Sequence, residues 1–273
     1  MKKLIFSILL LASTLLQASD IYVKPGESIA DAIRQARELR RLNDPSIEGG
    51  ITIHVAAGNY RIYEPLFLRP EDSGTPSSPT IIKGEGEVIV SGGVTVTGWK
   101  RQGKLMVADV PDFCGRPLDF RQFYVNGKKA VRARDVADFE DMYRIIRVDK
   151  QKRVLWVPAA AVRKIQKAPY AEMVLHEMWC VANLRIKDIM FAGDSAAVSF
   201  HDPESRIQFE HPWPCPMVTT DGHNSAFYLT NARELLDVPG EWYHDIRAGK
   251  LYYYPRQGEL IEEAVVPAVE TLL

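Results

Sequence analysis

Between Ala226 and Glu259 the chain reads AFYLTNARELLDVPGEWYHDIRAGKLYYYPRQGE, and the punctuation of that run leaves few folds open. Phe227 to Leu229 has the apolar content of a strand, and Ala232 to Leu236 that of a short helical turn. Pro239-Gly240 then supplies a tight turn, because proline presets φ and glycine takes positive φ without steric cost. Glu241 to His244 and Lys250 to Tyr254 read as the arms of a hairpin, with Asp245 to Gly249 as its loop. Pro255 ends the ladder, having no N–H to donate. At least this part of the chain is committed to antiparallel β structure.

The front of the chain has a different rhythm. Pro25-Gly26 makes a turn and Ser28 caps a helix, with Asp31 three residues on. Ile29, Ala32, Ile33, Ala36 and Leu39 recur at helical spacing, which predicts a helix from Ile29 to about Leu42. From Gly50 to Trp99 short β segments follow: Ile51–Ala56, Leu66–Leu68, Thr80–Lys83, Val88–Val90 and Val94–Thr97. From Lys100 to about Arg256 the pattern is antiparallel β. Asn126-Gly127 joins Phe120–Val125 to Lys128–Arg132, and a second hairpin joins Arg144–Val148 to Arg153–Val157. A long β region is expected over Met173–Phe191, with further strands at Ala196–Phe200 and Arg206–Phe209.

The wording NARELLDVPGEWY (Asn231 to Tyr243), followed by LYYYP (Leu251 to Pro255), resembles the insertion domain of secreted bacterial pectin-lyase-like proteins of the glycoside hydrolase family 141 type. HVAAGNYRI, DSGTPSSPTIIKGEGEVIVSGG and TGW resemble the first coils of such proteins. The resemblance implies a mainly β fold. Residues 20–100 would start a right-handed parallel β-helix under a capping helix, and residues 101–258 would be an inserted antiparallel β-sandwich-like domain. Residues 259–273 would begin the return to the β-helix, with Val269–Leu273 as its first strand, so that the chain is the front portion of a longer protein. The implied activity is hydrolysis of O-glycosyl bonds in a plant cell-wall or similar polysaccharide. Its catalytic acids are expected on later coils, which leaves this chain silent and its catalytic residues unknown. The alternatives are a non-catalytic glycan-binding or interaction module and a fragment of a β-helix polysaccharide lyase.

Lys2 and Lys3 precede an apolar run from Leu4 to Leu16 that ends in Ala18 and Ser19. This is the pattern of a signal peptide over residues 1–19, too short to span a bilayer, and it predicts export to the periplasm, cell surface or medium without stable membrane insertion. The formal net charge is −1, from 34 basic and 35 acidic residues, which disfavours nucleic acid as a partner, while the resemblance implies polysaccharide or oligosaccharide. Cys114, Cys180 and Cys215 form an odd set without CxxC spacing, and no disulfide is assigned.

Glycosidases place two carboxylates across the scissile bond. Asp135 with Asp138, Glu140 with Asp141, and Glu241 with Asp245 are candidate pairs, although each sits where solvated loop carboxylates are expected. His176-Glu177 and His201-Asp202 lack a compact ligand spacing, and Asp109, Asp112 and Asp119 lack that of a calcium loop, so neither metal nor cofactor is assigned. Aromatic rings are the better binding candidates, because sugars stack their apolar faces on them. Trp242, Tyr243, Tyr252 and Tyr254, all on the terminal hairpin, are the expected substrate-binding residues.

Overall fold

The computed structural model describes residues 18–273. The expected signal peptide falls on residues 1–17 outside this range, together with Ala18 and Ser19 at its edge. The chain divides into two compact units: one runs to Gly93 and takes in Ala268–Leu273, and the other spans Val94–Pro267.

The first unit is built from β1 (Ser19–Val23), α1 (Ile29–Arg41), β2 (Ile51–Arg61) and β3 (Thr80–Ser91). The three strands form one sheet in the order β1-β2-β3, parallel throughout. Alternate residues Ile21, Val23, Ile51, Ile53 and Val55 turn inward and share a core with Ile29, Ile33 and Ala36 of α1. Full burial of such side chains stabilises by about 1.5–3 kcal/mol each. The helix begins where the sequence places it, the Asp31 N–H donating to Ser28 Oγ at 3.1 Å.

Polar groups around α1 are paired. Arg37 donates Nε and Nη2 to the two Asp72 oxygens at 2.7 and 2.8 Å, and Arg40 Nε donates to Thr80 Oγ1 at 2.6 Å. On the opposite face of the sheet, His54 on β2 bridges Glu85 on β3 (2.8 Å) and Asp20 on β1 (3.1 Å), with its ring stacked on Tyr22.

This architecture overturns the expected right-handed parallel β-helix. Among the described residues the strands lie in several separate sheets, mostly antiparallel, and no coils stack into a solenoid. The physical reason lies in the length of the strands. Thr80–Lys83 and Val88–Val90, read as two segments split by glycines, are one twelve-residue strand. It pairs along β2 with a bulge at Ala56/Gly58, so the chain lengthens a single sheet. Leu66–Leu68 is not a strand, and α1 covers a sheet face rather than the end of a coil stack.

The second unit holds three sheets. The largest has seven antiparallel strands in the order Tyr143–Arg144, Ala226–Thr230, Glu172–His176, Val181–Ala192, Ser195–Phe200, Val154–Pro158, Arg147–Asp149. One face buries Leu155, Val157, Met173, Leu175, Leu184, Val198, Phe227 and Leu229 in the main core. A five-stranded sheet carries the terminal hairpin, Glu241–Asp245 paired with Lys250–Tyr253 as the sequence indicates. A four-stranded sheet contains Gly93–Thr95, Ala264–Pro267, Tyr124–Val125 and Lys128–Lys129. Its hairpin turns at Asn126 (φ 50°) and Gly127 (φ 72°), the paired left-handed conformations that an Asn-Gly turn favours.

Two local expectations give way here. Arg206–Phe209 lies in a helix, Glu204–Glu210, whose buried Ser205, Gln208 and Phe209 follow helical spacing. The strand near the end of the chain is Ala264–Pro267, not Val269–Leu273.

Candidate functional site

Met173 and Leu175 point into the main core, so the alternation of the strand sends Glu172, Val174 and His176 to the opposite face. Cross-strand pairing sets Thr230, Tyr228 and Ala226 beside them on one side, and Arg185, Asn183 and Val181 on the other. At one end of this outward face Glu172, with a side chain only 5% exposed, accepts bonds from Arg121 Nη1 (2.7 Å) and Arg132 Nη1 (2.9 Å). The Arg132 guanidinium also lies over the Trp242 ring. At the other end the Phe139 ring covers both His176, at 5.5 Å between centroids, and the Arg144 guanidinium, at 4.6 Å. Just beyond His176 the strand turns through Glu177–Cys180, where Trp179 holds a left-handed φ of 81° and is 81% exposed.

Four of the nine buried side-chain polar atoms without a hydrogen-bond partner among the described residues lie about this face. They are Arg132 Nε, Asp135 Oδ2, Arg144 Nη1 and His176 Nε2. A buried unsatisfied group typically costs about 1–3 kcal/mol, more if charged, so four in one region are a substantial standing cost. Burial, aided by the Arg144 charge, pulls His176 below its ordinary value and keeps it neutral near pH 7. Burial pushes the Asp135 carboxyl up, against the pull of the Leu229 N–H on Oδ1 at 2.7 Å. Tyr228, half-buried in the middle of the face, is raised by burial and feels Arg134, Arg132, Asp135 and Glu172 together. The face thus combines buried polar atoms without partners, a cation held by a ring and an exposed Trp179 just beyond His176.

The residues expected from sequence are distributed differently. Trp242 and Tyr243 are 0% and 3% exposed, buried on opposite sides of the hairpin. Trp242 packs with Phe120 and Phe123, whereas Tyr243 joins the main core. Tyr252 and Tyr254 are half-buried, each with a cation over its ring, Arg233 and Lys104 respectively. Any sugar contact by this hairpin falls to those two tyrosines.

Among the candidate carboxylate pairs, Glu241 is buried and accepts from the N–H groups of Val238, Asp237 and Arg134 at 3.1–3.4 Å, while Asp245 accepts from the Ala248 N–H in the hairpin loop. Glu140, Asp141 and Asp138 lie exposed around a short helical turn, whereas Asp135 is half-buried.

Of the two histidine pairs, His176 faces outward as an alternating strand requires, and Glu177 bonds Cys180 and Gln208 within its turn. That carboxylate, with burial, pushes the Cys180 thiol up to about 11. His201 is exposed, and Asp202 accepts from the Arg206 N–H. Asp109 pairs with Lys250, while Asp112 and Asp119 are exposed, and the three cysteines are free. Among the described residues no three His, Cys, Asp or Glu side chains are grouped to hold a metal ion, and no helix is long and apolar enough to cross a membrane. A cavity of about 170 Å³ in the first unit is lined by Arg37, Arg40, Asp72 and Thr80, but those groups already bond one another.

Residues 103–256, which include the whole outward face, match the family model described as the GH141 insertion domain. The chain belongs to this family. A solved structure titled "Glycoside hydrolase" is 60% identical with a TM-score of 0.88, over 93% of this chain and 47% of that one. The chain therefore spans about half the length of that hydrolase. Comparison with curated proteins gives no match. Within the GH141 insertion domain, the residues that sequence reasoning passes over are Arg121, Arg132, Phe139, Arg144, Trp179 and Tyr228. One signal was available: EMVLH places polar residues at both ends of an otherwise apolar strand, on the face opposite its core residues.

Proposed function

We propose that this chain is the glycan-engaging half of an exported glycoside hydrolase of the GH141 type, acting on a plant cell-wall or similar polysaccharide and silent in hydrolysis by itself. The observation that supports this reading best is the outward face around Tyr228. It offers donors, rings and buried unpaired nitrogens, but of its two carboxylates only Asp135 keeps an oxygen, Oδ2, without a partner. Glu172 is clamped by two guanidiniums, and Asp135 is held by a backbone N–H. A glycosidase needs two carboxyl groups free across a gap of roughly 5–9.5 Å, one of them to hand over a proton. The family membership and the hydrolase neighbour support polysaccharide as the ligand class. Lys2, Lys3 and the apolar run that follows support export.

The purified chain, titrated with a panel of cell-wall polysaccharides, is expected to be retarded in affinity electrophoresis without releasing reducing ends. Release of reducing sugar by the chain alone would overturn the silent half of the proposal, and failure to bind any polysaccharide would overturn the other. Terminal sequencing of the same secreted material is expected to start near Ser19 or Asp20.

A further inference from the structure

We infer that the outward face carries a subsite for an anionic sugar residue, whose carboxylate or sulfate is received between Arg144 and His176 with Phe139 as its cover. The inference deepens the glycan reading above and rests on it. Arg144 Nη1 and His176 Nε2 are buried with no acceptor or donor opposite them, and the Phe139 ring touches both side chains. Phe139 stands on a short turn, Phe139–Asp141, and is itself half exposed, so the cover belongs to the surface and not to the core.

Arg144 is the cation left without a carboxylate: Arg121 and Arg132 share Glu172, and Asp138, Glu140 and Asp141 around the Phe139 turn are exposed to solvent. Arg185 is spoken for by Glu204, and Glu177 is turned to Cys180 and Gln208. A neutral hydroxyl could bridge both nitrogens, but only with ordinary neutral-acceptor bonds. An oxyanion offers several lone pairs to both, and its bond to a guanidinium is about twice as strong as a neutral one. The exposed Trp179 ring, one turn beyond His176, gives the apolar face of the same or the next sugar a surface on which to stack.

Calorimetric titration of the full chain with four oligosaccharides tests this: oligogalacturonate, its methyl ester, a sulfated galactan oligomer and a neutral galactan oligomer. At least one anionic ligand is expected to bind about tenfold or more tightly than the ester and the neutral oligomer, the worth of one charge-assisted hydrogen bond. Preference for the uronate or for the sulfate ester identifies which oxyanion the subsite takes. Arg144→Gln is expected to reduce that preference to within about twofold while lowering the unfolding midpoint only slightly, since Nη1 makes no intramolecular hydrogen bond and the contact with the Phe139 ring is what is lost. If the variant does not fold, the esterified ligand on the unaltered protein decides alone. Equal affinity for charged and neutral ligands overturns the anionic subsite and leaves glycan binding standing, whereas no binding of any of the four overturns both.

Discussion

The two units of this chain treat buried polarity in opposite ways. In the parallel unit, the polar groups that α1 brings beside the core are matched: Arg37 with Asp72 and Arg40 with Thr80. In the antiparallel unit, the buried side-chain atoms without partners accumulate, all between Arg132 and Trp242. A network whose members satisfy one another has the character of a structural brace, and ligands have little to offer it. Four of the orphaned atoms, Arg132 Nε, Asp135 Oδ2, Arg144 Nη1 and His176 Nε2, lie about one sheet face, where they are expensive to keep until something with hydrogen-bonding groups arrives. The contrast therefore separates scaffold from site without recourse to a catalytic motif.

Three experiments bear on that contrast. The largest effect is expected from Trp242→Ala, which removes a fully buried indole from between Phe120 and Phe123. Urea unfolding should show a loss of about 3–5 kcal/mol in the antiparallel unit. A loss under about 1 kcal/mol would mean that this aromatic layer is looser than its burial implies. Ser28→Ala comes next, since it takes away one satisfied cap in the parallel unit. It should cost about 1 kcal/mol, read as a lowered midpoint, and a neutral result would count against the brace description.

The smallest effect is electrostatic and has opposite signs in the two units. His54 is raised above 6.5, chiefly by its bonds to Glu85 and then Asp20. Its contribution to stability is complete below 6.5 and is lost as pH rises through the folded value. His176 and His244 are lowered below 6.5 by burial, so their contribution is complete above 6.5 and is lost as pH falls through their folded values. Titration of the imidazole proton resonances should place His54 on one side of 6.5 and the other two on the other. A common value for all three would erase the distinction.

Local chemistry made much of this architecture readable in advance. Ser28 with Asp31, Asn126-Gly127 and the Asp245–Gly249 loop each specify a conformation through a few adjacent residues, and each is found where it was expected. The errors arise where partners are remote in sequence. Glycines at 84 and 86 look like breaks, yet a neighbouring strand carries β3 through them. The hairpin aromatics alternate correctly, but alternation cannot reveal that both faces of the sheet are covered, as Trp242 and Tyr243 show. The outward face is hidden for the same reason. Phe139, Arg144, His176 and Tyr228 come from separate segments, and only the pairing of Glu172–His176 with Ala226–Thr230 makes them neighbours.

The four-stranded sheet has one more consequence. Gly93–Thr95 and Ala264–Pro267 are adjacent strands, joined further by the Val96 N–H to the Ala264 carbonyl at 2.8 Å. The long intervening segment thus departs and comes back at almost one point. A folded segment whose two ends lie together adds little to the path of the polypeptide that carries it. For the polypeptide that bears it, this folded appendage counts as little more than a bend, so it can be swapped, reshaped or given new ligand preferences without disturbing what lies on either side.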